Sequence, residues 1–266
     1  MTKQERLNKI LKIIHHFKTV SVNDLSSQLG VSEVTIRKDL GNLEKNGMII
    51  RSHGIASTLS EGLVPSFFTR ERIEMDEKHY ISQAAAALIK DGESVLIDSG
   101  TTPLIVAKFL KDKKISVVTN SIPVSMELAN FNGTIAVTGG VLLFSSMALC
   151  GPDTENYLDN IKVNKLILGA SGIHLDSGPA TSSSIEASVK QKMIKTAQEV
   201  ILVLDHTKFS KISVSLISSF SDIDVIVTSS KAPKEAVEAL KKQGVNVIVV
   251  DLDKVLINNQ IIERAK

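Results

Sequence analysis

"VLIDSGTTPLIVAKFL", residues 95–110, joins two kinds of sequence. Val95-Leu96-Ile97 is a short continuous apolar run, which reads as a strand buried on both faces. Leu104 to Leu110 is apolar with helical spacing. Between them stand an acid, a glycine and three hydroxyls. Pro103 fits the first helical position, with Thr102 as cap, because a proline has no N–H to lose there. A helix N-terminus carries unpaired backbone donors and a partial positive charge. Gly100 admits close approach, and Ser99, Thr101 and Thr102 add hydroxyl donors. The junction therefore predicts an anion cradle. It matches neither GxxxxGK[ST] nor GxGxxG, so it implies no nucleotide.

The same alternation recurs along the chain. Further apolar runs are Ile115–Val118, Ile135–Val137, Leu166–Leu168, Val200–Leu204, Ile223–Val227 and Val245–Val250, with amphipathic stretches between them. This predicts a mostly parallel, Rossmann-like α/β fold over residues 76–266. A helix from Asp76 is expected to bury Ile81, Ala84, Ala85 and Leu88. Ligands of such sheets sit at the carboxyl ends of strands. Those ends carry Asp98-Ser99-Gly100, Thr119-Asn120-Ser121, Gly139-Gly140, Ser171-Gly172 and Asp205-His206-Thr207-Lys208. Polar strand-end turns are common, but five together, with a lysine and two acids, predict a polar pocket.

Residues 1–58 read differently. Ile10, Leu11, Ile13, Ile14 and Phe17 have helical spacing. Ser21 and Asp24 form a capping box for a short helix that Gly30 closes. Ser32 caps a third helix, about Glu33 to Asn46. A tight glycine turn between two short helices predicts a helix-turn-helix. Ile36, Leu40 and Leu43 form the buried stripe of the third helix. Val34, Lys38 and Asn42 then point outward, flanked by Thr35 and Arg37, with Ser32 at the start. That set can reach base edges and phosphates. Met48–Ile50 and Ile55–Ser57 can pair around His53-Gly54 as a wing presenting Arg51 and His53 to a phosphate backbone. Asp39 could pair with Arg37 or Lys38. This segment carries a net charge of +4 and the remainder −2, as suits a head that meets a polyanion. Residues 59–75, interrupted by Pro65, read as a linker whose Phe67 and Phe68 dock on a domain.

No run of eighteen apolar residues is present, and the N-terminus lacks the apolar centre of a secretory signal. One cysteine, Cys150, excludes an internal disulfide and a multi-cysteine zinc site. His15 and His16 are helix neighbours about 100° apart, a poor chelating pair. The expectation is a cytoplasmic protein with no metal and no cofactor.

"VNDLSSQLGVSEVTIRKDLGNLEKNGMIIRSHGIA", residues 22–56, resembles the winged-helix signature of the DeoR family of bacterial transcription regulators. Ile55 replaces the family's usual second glycine after the wing histidine. Gly41 sits inside the recognition helix, at a cost of about 1 kcal/mol relative to alanine. Further on, "DSGTT", "VVTNS", "TGG", "LGASGI", "EASVKQKMI" and "LDHTKF" resemble the family's effector domain, whose sheet is similar to ribose-5-phosphate isomerases and CoA transferases. The resemblance implies a regulator, a repressor of carbohydrate genes, that senses a phosphorylated sugar. It implies that Ser99, Gly100, Thr101 and Thr102 hold phosphate, that Lys208 supplies a nearby cation, and that Asp205, Asn120, Ser171 and Glu186 surround the sugar. The family often has Ser-Ser before that lysine, where this chain has His206-Thr207. Asp98 is expected to serve sugar hydroxyls or the turn, since a carboxylate would repel phosphate. The implied partners are double-stranded operator DNA, the sugar phosphate, and further copies of the chain in a dimer or tetramer.

The competing reading is a sugar-phosphate isomerase-like enzyme with an appended DNA-binding domain. Isomerisation needs a carboxylate base and groups that stabilise an enediolate. The similar isomerases carry acids after the strand matching Leu166–Leu168, whereas this chain has Gly169-Ala170-Ser171-Gly172-Ile173. Glu186 and Lys190, one helical turn apart, read as either a leftover fragment of such a site or an ion pair.

Overall fold

The structure, a computed structural model, describes residues 3–17, 19–45, 49–52, 55–57, 66–211, 213–252, 254–257 and 260–263. At 3–4, 15–16, 45, 50–52, 57, 254–257 and 260–263 only the backbone is described. The chain divides into two compact units, Met1–Ile73 and Glu74–Lys266.

The first unit runs α1 (Lys3–Phe17), β1 (Thr19–Ser21), α2 (Val22–Leu29), α3 (Glu33–Lys45), β2 (Ile50–Ser52), β3 (Ile55–Ser57) and α4 (Phe67–Arg72). Ser21 caps α2, with its hydroxyl accepting the Asp24 N–H and the Asp24 carboxylate accepting the Ser21 N–H. Gly30 ends α2 at φ 63°, the left-handed region that glycine enters without a Cβ clash. Ile10, Ile14, Leu25, Ile36, Leu40 and Leu43 meet in one core. Phe17, at the end of α1, is 57% exposed. The wing hairpin forms with its second strand as expected, but its first strand is Ile50–Ser52 and not Met48–Ile50, with Ile50 opposite Ser57 and Ser52 opposite Ile55. Sequence reading missed β1, which pairs with β3; three residues are too few to show a period. It also read 59–75 as a linker throughout. Ser66 accepts the Thr69 N–H and opens α4, in which Phe67 is buried and Phe68 is exposed.

The second unit runs α5 (Met75–Ala87), β4 (Ser94–Ile97), α6 (Thr101–Phe109), β5 (Ser116–Thr119), α7 (Ile122–Glu127), β6 (Thr134–Val137), β7 (Val141–Leu143), β8 (Ala148–Cys150), α8 (Pro152–Asp159), β9 (Val163–Gly169), β10 (Gly172–His174), β11 (Gly178–Thr181), α9 (Ser184–Thr196), β12 (Ala197–Val203), β13 (Ser215–Leu216), β14 (Val225–Ser229), α10 (Lys234–Lys242), β15 (Asn246–Val250), β16 (Lys254–Ile257) and β17 (Gln260–Glu263). The seven expected apolar runs all fall in one sheet, ordered β15-β14-β12-β9-β4-β5-β6. Every pairing in it is parallel. All five residues of β14 are buried, so helices cover both faces. The hairpins β7-β8 and β16-β17 and the small sheet β10-β11-β13 were not expected.

The strand order reverses at one place. From β4 the chain moves outward through β5 to β6, then returns to β9 on the other side of β4 and continues to β15. Adjacent strands whose connections leave in opposite directions open a crevice at their carboxyl ends. Here that crevice lies between β4 and β9, beside Asp98–Thr102 and Gly169–Gly172.

Candidate functional site

In the first unit, α3 buries Ile36, Leu40 and Leu43 and leaves the opposite side open. Val34 is 64% exposed, and Arg37 and Lys38 are exposed beside it. Thr35 and Asn42 are half-buried on the flanks. The Ser32 hydroxyl accepts the Thr35 N–H at 3.4 Å, so Ser32 acts as the helix cap. Asp39 was expected to meet Arg37 or Lys38. It is instead buried and takes both Nε and Nη2 of Arg6, the latter at 3.2 Å. Its position, three residues after Ile36, puts it on the core side of α3, and the fork ties α1 to α3. The Asp39 hydrogen bond raises the Arg6 pKa above its ordinary value. Arg37 pairs with Glu33 at 2.8 Å across one exposed turn, a contact weak enough to exchange for another anion. The Arg51 backbone lies in β2; the Arg51 side chain, and His53, lie outside the described residues.

In the second unit, the cap of α6 is Gly100, not Thr102, so Pro103 is the third helical residue. A proline is equally harmless there, since its N–H would have no partner. Gly100 has no side chain to cap with, which leaves the Thr101 and Thr102 N–H groups facing the crevice end of the helix. Glycine is needed at 100 for packing: an added Cβ would stand 2.7 Å from Pro103 Cδ and 3.7 Å from Gly169 Cα. The two loops thus approach closely across the strand reversal.

Asp98 is fully buried and committed to the frame. Its Oδ2 accepts the Gly169 N–H at 3.0 Å and a short bond from Lys190 Nζ. Lys190 also donates to the Gly169 carbonyl at 3.0 Å. The expected Glu186–Lys190 pair is therefore replaced by one that fastens α9 to the ends of β4 and β9, and Asp98 is not offered to a sugar. Glu186 takes the Thr181 hydroxyl at 3.0 Å, and Thr181 stands 3.4 Å from the Ser171 hydroxyl. Burial first, then Glu186 and Asp98, pushes the Cys150 thiol up to about 12. Cys150 is a packing residue, not a nucleophile.

On β5, the Thr119 hydroxyl donates to the Ile97 carbonyl at 2.6 Å and accepts the Ser121 N–H at 3.0 Å. The Ser121 hydroxyl accepts the Val124 N–H, capping α7. Both brace the sheet end. Asn120 donates Nδ2 to the Leu149 carbonyl, while its buried Oδ1 has no hydrogen-bond partner among the described residues. Gly139 and Gly140, at φ 73° and 112°, are exposed, and a Cβ on Gly140 would stand 2.2 Å from Thr154 Oγ1. Gly172 starts β10 against the Lys211 carbonyl, 2.1 Å from where a Cβ would lie.

After β12, a 3-10 turn spans His206–Lys208. The Asp205 carboxylate accepts the Thr207 N–H and hydroxyl through Oδ1. Its buried Oδ2 has no hydrogen-bond partner among the described residues, and Lys208 Nζ lies 3.7 Å away. Burial pushes the Asp205 carboxyl up, but Lys208, Thr207 and Lys78 outweigh it and hold it below the usual range. Two orphaned oxygens, on Asn120 and Asp205, thus end strands on either side of the reversal. A buried acceptor left without a donor costs about 1–3 kcal/mol, which a ligand hydroxyl would recover.

Sequence reading missed Glu77, Lys78 and Ser82. The buried face of α5 is Glu77, Lys78, Ile81, Ser82, Ala85 and Ala86, rotated from the expected one. The signal was present: Glu77 and Lys78 stand four and three residues before Ile81, where an apolar stripe would continue.

Residues 6–61 match the DeoR-like helix-turn-helix domain, and residues 73–230 match the DeoR C terminal sensor domain. The chain belongs to the DeoR family. Its first unit carries that family's DNA-binding domain, and the protein is a DNA-binding transcriptional regulator. It is 34% identical to a putative aga operon transcriptional repressor of Escherichia coli O157:H7, over 92% of this chain and 93% of that one. It is 31% identical to the glycerol-3-phosphate regulon repressor of Haemophilus influenzae, over 94% and 98%. Ribose 5-phosphate isomerase A of Methanocaldococcus jannaschii superposes on 51% of this chain and 54% of its own at 15% identity and a TM-score of 0.39, too slight a likeness to argue from. Among the described residues no helix is long and apolar enough to cross a membrane.

Proposed function

We propose that this regulator is a cytoplasmic repressor of carbohydrate-metabolism genes, released from operator DNA when a phosphorylated sugar enters the β4/β9 crevice. The observation that carries the reading is the uncapped N-terminus of α6 at the strand reversal, with Lys208 two strands away. Two strand spacings are about 10 Å, a distance that a sugar phosphate and a lysine side chain span together. Phosphate lies on the Thr101 and Thr102 N–H groups and on the hydroxyls of Ser99, Thr101 and Thr102. Lys208 adds charge, and Asn120 Oδ1 and Asp205 Oδ2 accept sugar hydroxyls. Gly139 and Gly140 end β6, four strands from β12, or about 19 Å, so one small ligand does not reach both.

The protein works as a sensor without cofactor or catalysis. Asp98 is neutralised by Lys190, and a carboxylate held below its usual range, as Asp205 is, makes a poor proton acceptor. One winged helix gives a small DNA interface, so the working species is a homodimer or tetramer on repeated half-sites. The test is thermal unfolding with a panel of sugar phosphates, the matching free sugars, and inorganic phosphate. One sugar phosphate raises Tm well above the shifts from its free sugar and from phosphate. A panel in which no phosphorylated sugar exceeds both controls, or in which one is turned over, overturns the reading.

A further inference from the structure

The turn that carries Lys208 is fastened to a second place. His206 donates its backbone N–H to Glu77 Oε1 at 2.7 Å, and its ring Nδ1 lies 2.6 Å from Glu77 Oε2. Ser229, ending β14, donates its hydroxyl to the same Oε1 at 2.6 Å. Glu77 is buried, so one carboxylate gathers the ends of β12 and β14 onto the first turn of α5. Lys231 Nζ lies 2.9 Å from Glu74 Oε2 and 3.8 Å from Glu77 Oε2. Glu74, Glu77 and His206 bring possible ligand atoms within 4.8 Å of one another. The Lys231 ammonium already supplies the cation there, so the cluster is a clasp and not a metal site.

The position of the clasp in the chain gives it a use. Glu74 is the first residue of the sensor unit; Ile73 ends the unit that carries the helix-turn-helix. Glu74 adopts φ 50°, a left-handed conformation that costs a non-glycine residue about 1 kcal/mol or more. Glu74 is the residue from which the chain enters α5, and Lys231 holds its side chain. The clasp therefore runs without a gap from the Asp205–Lys208 turn to the junction between the units.

We infer that the Glu77–His206 clasp transmits occupancy of the crevice to the DNA-binding head; this rests on the sensing role proposed above. A phosphate that draws Lys208 from Asp205 moves the turn carrying His206. Glu77 passes the movement to the start of α5 and to Glu74, the residue at which the sensor unit begins. Glu77 and His206 are then positioning residues that act through the turn bearing Asp205 and Lys208.

The test uses the full-length protein, an operator selected from random DNA by the wild type, and glucose 6-phosphate, fructose 6-phosphate, ribose 5-phosphate and glycerol 3-phosphate as probes. The quantity read is the ratio of operator Kd with and without saturating probe, for which a coupled regulator gives about 5- to 150-fold. His206→Ala and Glu77→Gln should bind operator as the wild type does and keep the probe's thermal shift, while the ratio falls below about twofold. Lys231→Ala, at a half-exposed position that folding tolerates, should lower the ratio partway. Variants that keep the wild-type ratio overturn the clasp and leave the sensing role standing. A wild type whose ratio stays at one with every probe overturns both.

Discussion

The reading helix of the head and the strand reversal of the body use charge in opposite ways. On α3, Arg37 and Lys38 stand in solvent, with one exposed pair of little strength among the described residues. At the reversal, Asp98 and Lys190 are buried and locked together. An exposed cation keeps its hydration until a polyanion arrives, and gains by releasing that polyanion's counterions. A buried ion costs several kcal/mol to desolvate and survives only when paired. Charge on the head is therefore available for binding, whereas much of the charge in the body shapes the crevice. In the proposed site the body leaves binding to backbone donors, hydroxyls and Lys208.

The largest effect that separates the two follows from removing one member of the buried pair. Lys190→Met should destabilise the sensor unit by about 3–5 kcal/mol, because Asp98 is left charged and unpaired. Denaturant unfolding reads this, and the double variant Asp98→Asn/Lys190→Met should recover much of the loss. A loss below 1 kcal/mol, the size expected of an exposed pair, would erase the contrast.

Next comes Arg37→Ala, and likewise Lys38→Ala. Each should weaken operator binding by about 1–3 kcal/mol or flatten its salt slope by about one unit, with thermal stability unchanged. Operator affinity and salt slope both at wild-type values would remove α3 as the reading element. Ser32→Ala should cost the head about 0.5–2 kcal/mol, since the Thr35 N–H loses its acceptor; its melting temperature reports this.

At neutral pH the smallest effect is that of proton binding at Asp205. Its folded-state pKa lies below the ordinary value of 3.8, so its stabilisation is complete above that value. That stabilisation is lost as pH falls through the folded value. Wild-type stability should therefore fall with acid more steeply than that of Asp205→Asn, and the two should run parallel above about pH 5. Parallel curves down to pH 2 would show that Lys208 and Lys78 do not hold the carboxylate.

The same contrast explains what the sequence disclosed. The head was legible because its parts are local: a capping box at Ser21, a glycine at 30 and one apolar stripe on α3. The seven sheet strands were legible as continuous apolar runs. Their order, and so the reversal that makes β4 and β9 the crevice walls, is a long-range property with no local signature. Asp98, Ser99 and the threonines could be placed at a strand end from residue type alone. That Lys190 would claim Asp98 from across α9, 92 residues away, could not. Short hairpins such as β7-β8 lack the length to show a period. Glu77 was missed for another reason, since a helix rich in alanine was assumed to bury only its apolar residues.

The most direct test of the account is a titration of the operator complex with the sugar phosphate that gives the largest thermal shift, in wild type and Lys208→Ala. The account predicts that the wild-type complex dissociates as ligand is added, and that Lys208→Ala needs about tenfold more ligand or more, as loss of one charge-assisted contact of about 1.5–3 kcal/mol requires. A wild-type complex that ligand leaves intact, or a Lys208→Ala complex that releases DNA at the wild-type concentration, would contradict it.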